Sequence, residues 1–155
     1  MKTLFIIIAV TSVLLASELE GNLSKETSDK LDKIGQAMEQ TGLSEDYDEM
    51  LRFYTDDVLI MADFQEPIRG KKELKAPYKT ENKIGLKYHS INGTPEKRWE
   101  SNGLIYDYGS FGMIVSSKTD KKPDGYYGSY FQIWEPSGSS YKLKYVIWNL
   151  DHNPF

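Results

Sequence analysis

Asp107 stands out chemically in this chain. Along Leu104 to Ser117 the odd positions are Ile105, Asp107, Gly109, Phe111, Met113 and Val115. A strand there sets one carboxylate on an otherwise apolar face. If that face closes over a hollow, loss of water raises the carboxyl pKa and makes it a proton donor or base. At a bulge near Gly109, or at an open rim, the same group would only meet solvent. Asp63, in the turn after the Val58–Ala62 run, is a second catalytic candidate if a bulge lets it reach inward. On the final strand Asn149 and Asp151 share one face and one end, so they could offer a hydrogen bond and a charge at a pocket mouth.

Aromatic residues accompany these polar groups. One face of Tyr126 to Glu135 presents Tyr126, Gly128, Tyr130, Gln132 and Trp134, and the chain holds 11 tyrosines and 3 tryptophans. Walls of that kind, apolar with polar tips, suit a flat hydrophobic ligand or a subunit interface. Tyr54, Phe111, Tyr130 and Trp134 are the candidate lining residues, with Asp107, Asn149 or Asp151 as polar anchors.

Other chemistries find little support. The chain has no cysteine, which removes thiol redox chemistry and disulfides. It shows no Ser-His-Asp spacing, no phosphate-cradling glycine loop and no zinc signature. His152 stands beside Asp151 and Asn153 near the C-terminus, where the fixed geometry of a metal site is missing, so neither metal nor cofactor is expected. A net charge of −4 argues against attraction to nucleic acid or to anionic lipid.

The elements that would position these residues follow in order. Residues 1–17 carry Lys2, an apolar run from Leu4 to Leu15 and then Ala16 and Ser17, the pattern of a secretory signal peptide and too short a run to span a bilayer. Residues 18–155 are then a secreted single domain, with no stable membrane insertion. Two sequons, at Asn22 and Asn92, fit glycosylation in a eukaryotic secretory route. Thr27 or Ser28 caps a helix with Leu31, Ile34 and Met38 on one face and Gly42 at its end. A second helix, capped by Ser44, carries Tyr47, Met50, Leu51 and Tyr54 in a stripe. Val58–Ala62 reads as a strand, and Lys72–Tyr78 as a short helix limited by Pro77. Strands are expected at Gly85–Ile91, Arg98–Ser101, Leu104–Ser117, Tyr126–Glu135 and Lys142–Asp151. Turns fall between them at Asn92-Gly93, Asn102-Gly103, Pro123-Asp124-Gly125 and Pro136-Ser137-Gly138. Glycines 109, 112 and 128 inside these strands imply a bend or close approach. The result is an α+β fold, N-terminal helices over a curved antiparallel sheet.

This order resembles the nuclear-transport-factor-2-like superfamily, in its SnoaL-like and ketosteroid-isomerase-like branch. The resemblance rests on Tyr54-Thr55-Asp56-Asp57-Val58, Pro67-Ile68-Arg69-Gly70, Asn102-Gly103-Leu104-Ile105-Tyr106 with Gly109, Gly128-Ser129-Tyr130 with Trp134, and Tyr141-Lys142-Leu143 with Trp148-Asn149. It covers about residues 27 to 151 and implies a cystatin-like cone with a pocket open at one end, often paired into a homodimer through the sheets. In ketosteroid isomerases a general-base aspartate lies a few residues past the Tyr-x-Asp-Asp junction. Counted without a gap that place is Ala62, with Asp63 one residue beyond, and a one-residue slip turns a side chain to the other face.

Three functions therefore stand. The first is a secreted module binding a small apolar or aromatic molecule. The second is an acid–base enzyme using Asp107, with Asp63, on a carbonyl substrate. The third is a structural dimerisation or assembly module. The displaced base favours the first, and fold alone decides nothing about chemistry.

Overall fold

Strand-forming sequence dominates from Tyr54 onward, and in the computed structural model, which describes residues 21–152, it builds six strands of one seven-stranded sheet, Gly21–Asn22 adding the seventh. The elements run β1 (Gly21–Asn22), α1 (Lys25–Leu43), α2 (Tyr47–Met50), β2 (Tyr54–Ala62), β3 (Ile68–Arg69), α3 (Gly70–Ile84), β4 (Lys87–Ser101), β5 (Leu104–Ser116), β6 (Asp124–Ser137) and β7 (Ser140–Leu150). Their order across the sheet is β1-β4-β5-β6-β7-β2-β3. Pairing is antiparallel except between β2 and β7, so the expected antiparallel sheet is a mixed one. The signal peptide expected at residues 1–17 lies outside the described residues.

Local chemistry explains where the elements begin and end. Ser24 caps α1 by accepting the Thr27 N–H at 3.1 Å, one turn before the expected cap. Leu31 on that helix is fully buried, and Ile34 and Met38 pack on the core beside it. The second helix is shorter than its stripe suggests. It makes one turn, tightens to a 3₁₀ turn at Leu51–Phe53, and turns extended at Tyr54 (φ −105°, ψ 154°). The β-branched Thr55, Val58 and Ile60 favour a strand there, and β7 supplies the ladder. By contrast α3 outruns its expectation, continuing through Pro77 to Ile84. Proline removes one backbone donor, but buried Leu74 and the stack of Tyr78 on Tyr47, centroids 4.9 Å apart, hold this helix to its neighbours.

Bending of the sheet has identifiable causes. The expected turn at Asn92-Gly93 is absent, and β4 runs straight through it with register shifts at Tyr88/Ser90 and Pro95/Lys97. Gly109 faces the second of these bulges, where an added Cβ would collide with the Thr94 carbonyl. A Cβ on Gly128 would likewise collide with the Asn149 carbonyl and crowd the Phe111 ring at 2.8 Å. Backbones approach closely at both places, and the sheet curves around the resulting hollow. Below the hollow, Leu51, Val58, Ile60, Leu74, Ile105, Trp134, Leu143 and Val146 form the core with Leu31. Each such apolar side chain contributes about 1.5–3 kcal/mol by leaving water.

Candidate functional site: an aromatic cavity floored by a buried carboxylate

Asn102 (φ 52°) and Gly103 (φ 74°) make the two-residue turn between β4 and β5, both in the left-handed region as a tight hairpin demands. Counting outward from the pair Ser101–Leu104 sets Arg98 directly across from Asp107. Arg98 donates through Nε to Asp107 Oδ2 at 2.8 Å, and on the other side Tyr130 donates its hydroxyl to Oδ1 at 3.2 Å. The guanidinium also reaches α1, with its Nη1 2.6 Å from Asp32 and 3.2 Å from the Ser28 carbonyl and hydroxyl. Asp107 itself is 2% exposed. A chain of charge-assisted bonds therefore ties the helical cover to the sheet.

Above this floor lies a cavity of about 810 Å³, open to solvent, between α1, α2, α3 and the concave sheet face. The inner rows of the sheet explain its lining. Arg98, Asp107, Gln132 and Val146 stand in register across β4 to β7, and Tyr130 pairs with Gly109 and with Trp148 in the next row. Phe111 meets Trp148 edge to face, centroids 6.0 Å apart. The four predicted lining residues Tyr54, Phe111, Tyr130 and Trp134 all reach this cavity, and so does Asp107.

Three predicted site residues do not. Asn149 and Asp151 are exposed, and Asn149 pairs with Ser129 on the outer face of the sheet. The physical reason lies in a bulge at Lys144: Trp134 pairs with Leu143 but Ile133 pairs with Tyr145, so Leu143 and Val146 both face inward and Trp148 follows them. Asp63 accepts the Leu150 N–H at 2.8 Å beside the end of β7, while Ala62 lines the cavity in the place of the expected base. Asp63 and Asp107 are not brought together. Asn92, one of the two sequon asparagines, is exposed within β4 rather than on a turn, and Asn22 falls in β1.

Electrostatics follow from burial and pairing. Burial pushes the Asp107 carboxyl above its usual range of about 3.8, outweighing the attraction and hydrogen bond of Arg98. Tyr130 is raised well above an ordinary phenol, by burial first and by Asp107 second, and so remains a hydrogen-bond donor. Burial opposes the charge on Arg98, but Asp107 and Asp32 together more than offset it. The carboxylate accepts two protein bonds and keeps lone pairs for a guest. Sequence reasoning missed Arg98, Asp32, Gln132 and Trp148. The tight Asn102-Gly103 turn was the signal for the first, because it fixes the register that sets an arginine opposite Asp107.

The fold is the nuclear-transport-factor-2-like cone, with a cystatin-like helix-on-sheet arrangement. Solved structures sharing it include a ketosteroid isomerase-like protein from Erwinia carotovora atroseptica, with TM-score 0.71 and 13% identity, the match covering 84% of this chain and 100% of that one. A nuclear-transport-factor-2-like protein with a cystatin-like fold from Novosphingobium aromaticivorans has TM-score 0.63 and 9% identity, covering 99% and 94%. A protein from Catenulispora acidiphila, solved in complex with S-DNPA, has TM-score 0.69 and 5% identity, covering 83% and 96%. At such identities the common property is the fold. No family model and no curated protein matches the chain.

Proposed function

We propose that the protein is a secreted binding module that holds a small apolar or aromatic molecule in the cavity between its helices and its sheet. The observation that supports this most is the cavity itself: about 810 Å³, within the range of small-molecule sites, walled by aromatic and aliphatic side chains around one buried carboxylate. Engagement of Asp107 by Arg98 and Tyr130 makes it an anchor rather than a free base, and Ala62 stands where an isomerase base would be expected. The Catenulispora neighbour, bound to S-DNPA, is consistent with this use of the fold. Export follows from the pattern of residues 1–17.

A second reading, acid–base catalysis on a carbonyl substrate, draws on the raised pKa of Asp107 within the same cavity. One experiment separates the proposals from each other. A thermal-shift screen with lipophilic aromatic metabolites should raise the melting temperature for at least one compound, since a ligand of the folded state alone stabilises it. A flat response over the whole panel defeats the binding reading, and chemical conversion of a hit, abolished by Asp107→Asn, would replace it with the enzymatic one.

A further inference from the structure

Charge in the cavity wall is one-sided. Among the described residues, the ionisable side chains that line it are three acids, Asp32, Glu39 and Asp107, with Tyr hydroxyls, and a single base, Arg98, with no lysine. Arg98 is already shared between Asp107 and Asp32 at 2.8 Å and 2.6 Å. Glu39 accepts from a neutral partner, the Gly93 N–H at 2.8 Å. The wall therefore keeps an excess of negative charge whether Asp107 is ionised or protonated. Low-dielectric walls concentrate such a field in a cleft. The remaining wall is aliphatic and aromatic, with Tyr54, Phe111, Tyr130 and Trp148 among its members, and aromatic rings receive a cation on their faces but give an anion no such attraction.

Resting on the proposed binding role, we infer that the cavity sorts ligands by charge: aromatic molecules that are uncharged or bear a protonated amine enter, and the matching carboxylates are refused. An anion would face Glu39 and Asp32 near the helical side and Asp107 beneath, and Arg98 is neutralised by two acids. A protonated amine meets open carboxylate lone pairs at the same positions.

The test uses three probes of nearly equal shape at pH 7: 2-naphthylmethylamine, 2-naphthylmethanol and 2-naphthoate, titrated calorimetrically into the folded protein. The amine and the alcohol should bind, the amine more weakly as salt is added, and the carboxylate should bind at least about tenfold more weakly than the alcohol. The double variant Asp32→Asn, Glu39→Gln keeps an acceptor for Arg98 and for the Gly93 N–H, and it should close most of that gap. Carboxylate binding equal to or tighter than that of the alcohol overturns the charge inference alone. So does a double variant that leaves the gap unchanged. Binding of none of the three overturns this inference, and a flat response over the whole lipophilic panel overturns the cavity-binding role as well.

Discussion

At the scale of single residues, the informative contact is between Arg98 and Asp107. Arg98 is 12% exposed and Asp107 2%, so neither charge is solvated by bulk water, and each depends on the other. Replacing Arg98 by methionine keeps the bulk and removes the charge, leaving a carboxylate unpaired in an apolar wall. At pH 7 this should cost about 3–5 kcal/mol of unfolding free energy, read by urea denaturation. The deficit should shrink as pH falls, and the sign follows from linkage. A carboxyl whose folded pKa is raised binds its proton more tightly when folded, so its penalty is absent below the unfolded value near 3.8 and grows as pH rises through the folded value. In the native protein the Asp107 carboxyl carbon, followed by NMR, should titrate with a midpoint above 3.8, and further above it in Arg98→Met. A midpoint at or below that value would mean that Arg98 outweighs burial, contrary to the balance described above.

At the scale of elements, the sheet curves because two strands can approach where side chains are missing. Gly109→Ala puts a methyl against the Thr94 carbonyl and 2.9 Å from Pro95 Cα, contacts to backbone that cannot rotate away. The substitution should destabilise the fold by about 1–3 kcal/mol, as overpacking does, and weaken any cavity ligand by opening the bend. Unchanged stability in chemical denaturation would show that the β4 bulge gives way freely. This bend was partly legible in sequence, since glycine inside a strand needs a reason, and the inward face of β5 followed from simple alternation. What alternation could not show was interruption. The bulge at Lys144 reversed the phase of β7 and sent Asn149 outward, and tertiary packing on Tyr47 carried α3 past Pro77. Arg98 was within reach of the turn chemistry, whereas Asp32 and Glu39 were not, because which face of α1 meets β4 depends on packing between distant segments.

At the scale of the whole molecule, the two faces of the sheet differ: the inner one lines the cavity and the outer one carries exposed apolar side chains. The outer face carries rows that run across four strands: Lys97, Tyr108, Phe131 and Ile147 in one, Trp99, Tyr106, Ile133 and Tyr145 in the next. Trp99 stacks on Tyr106 at 5.2 Å and meets Phe131 at 6.2 Å, yet Tyr108 and Ile147 remain 38% and 41% exposed. An apolar surface of this kind on a monomer is a candidate association site. A homodimer through the sheets, which the sequence resemblance implies, would cover it, leaving the cavity mouths on opposite outer sides of the pair. Ile147 lies directly across from Phe131 and is exposed enough that a charged replacement spares the core. Analytical ultracentrifugation should therefore find a dimer for the native chain and a monomer for Ile147→Arg, with the melting temperature and the naphthylmethanol affinity little changed in the variant. A native chain that sediments as a monomer at high concentration removes the dimer and leaves the outer rows as simple cross-strand packing, worth about 0.2–1 kcal/mol per pair. Loss of cavity binding in Ile147→Arg would instead tie the two faces together, because a mutation on one side of the sheet would then be felt on the other.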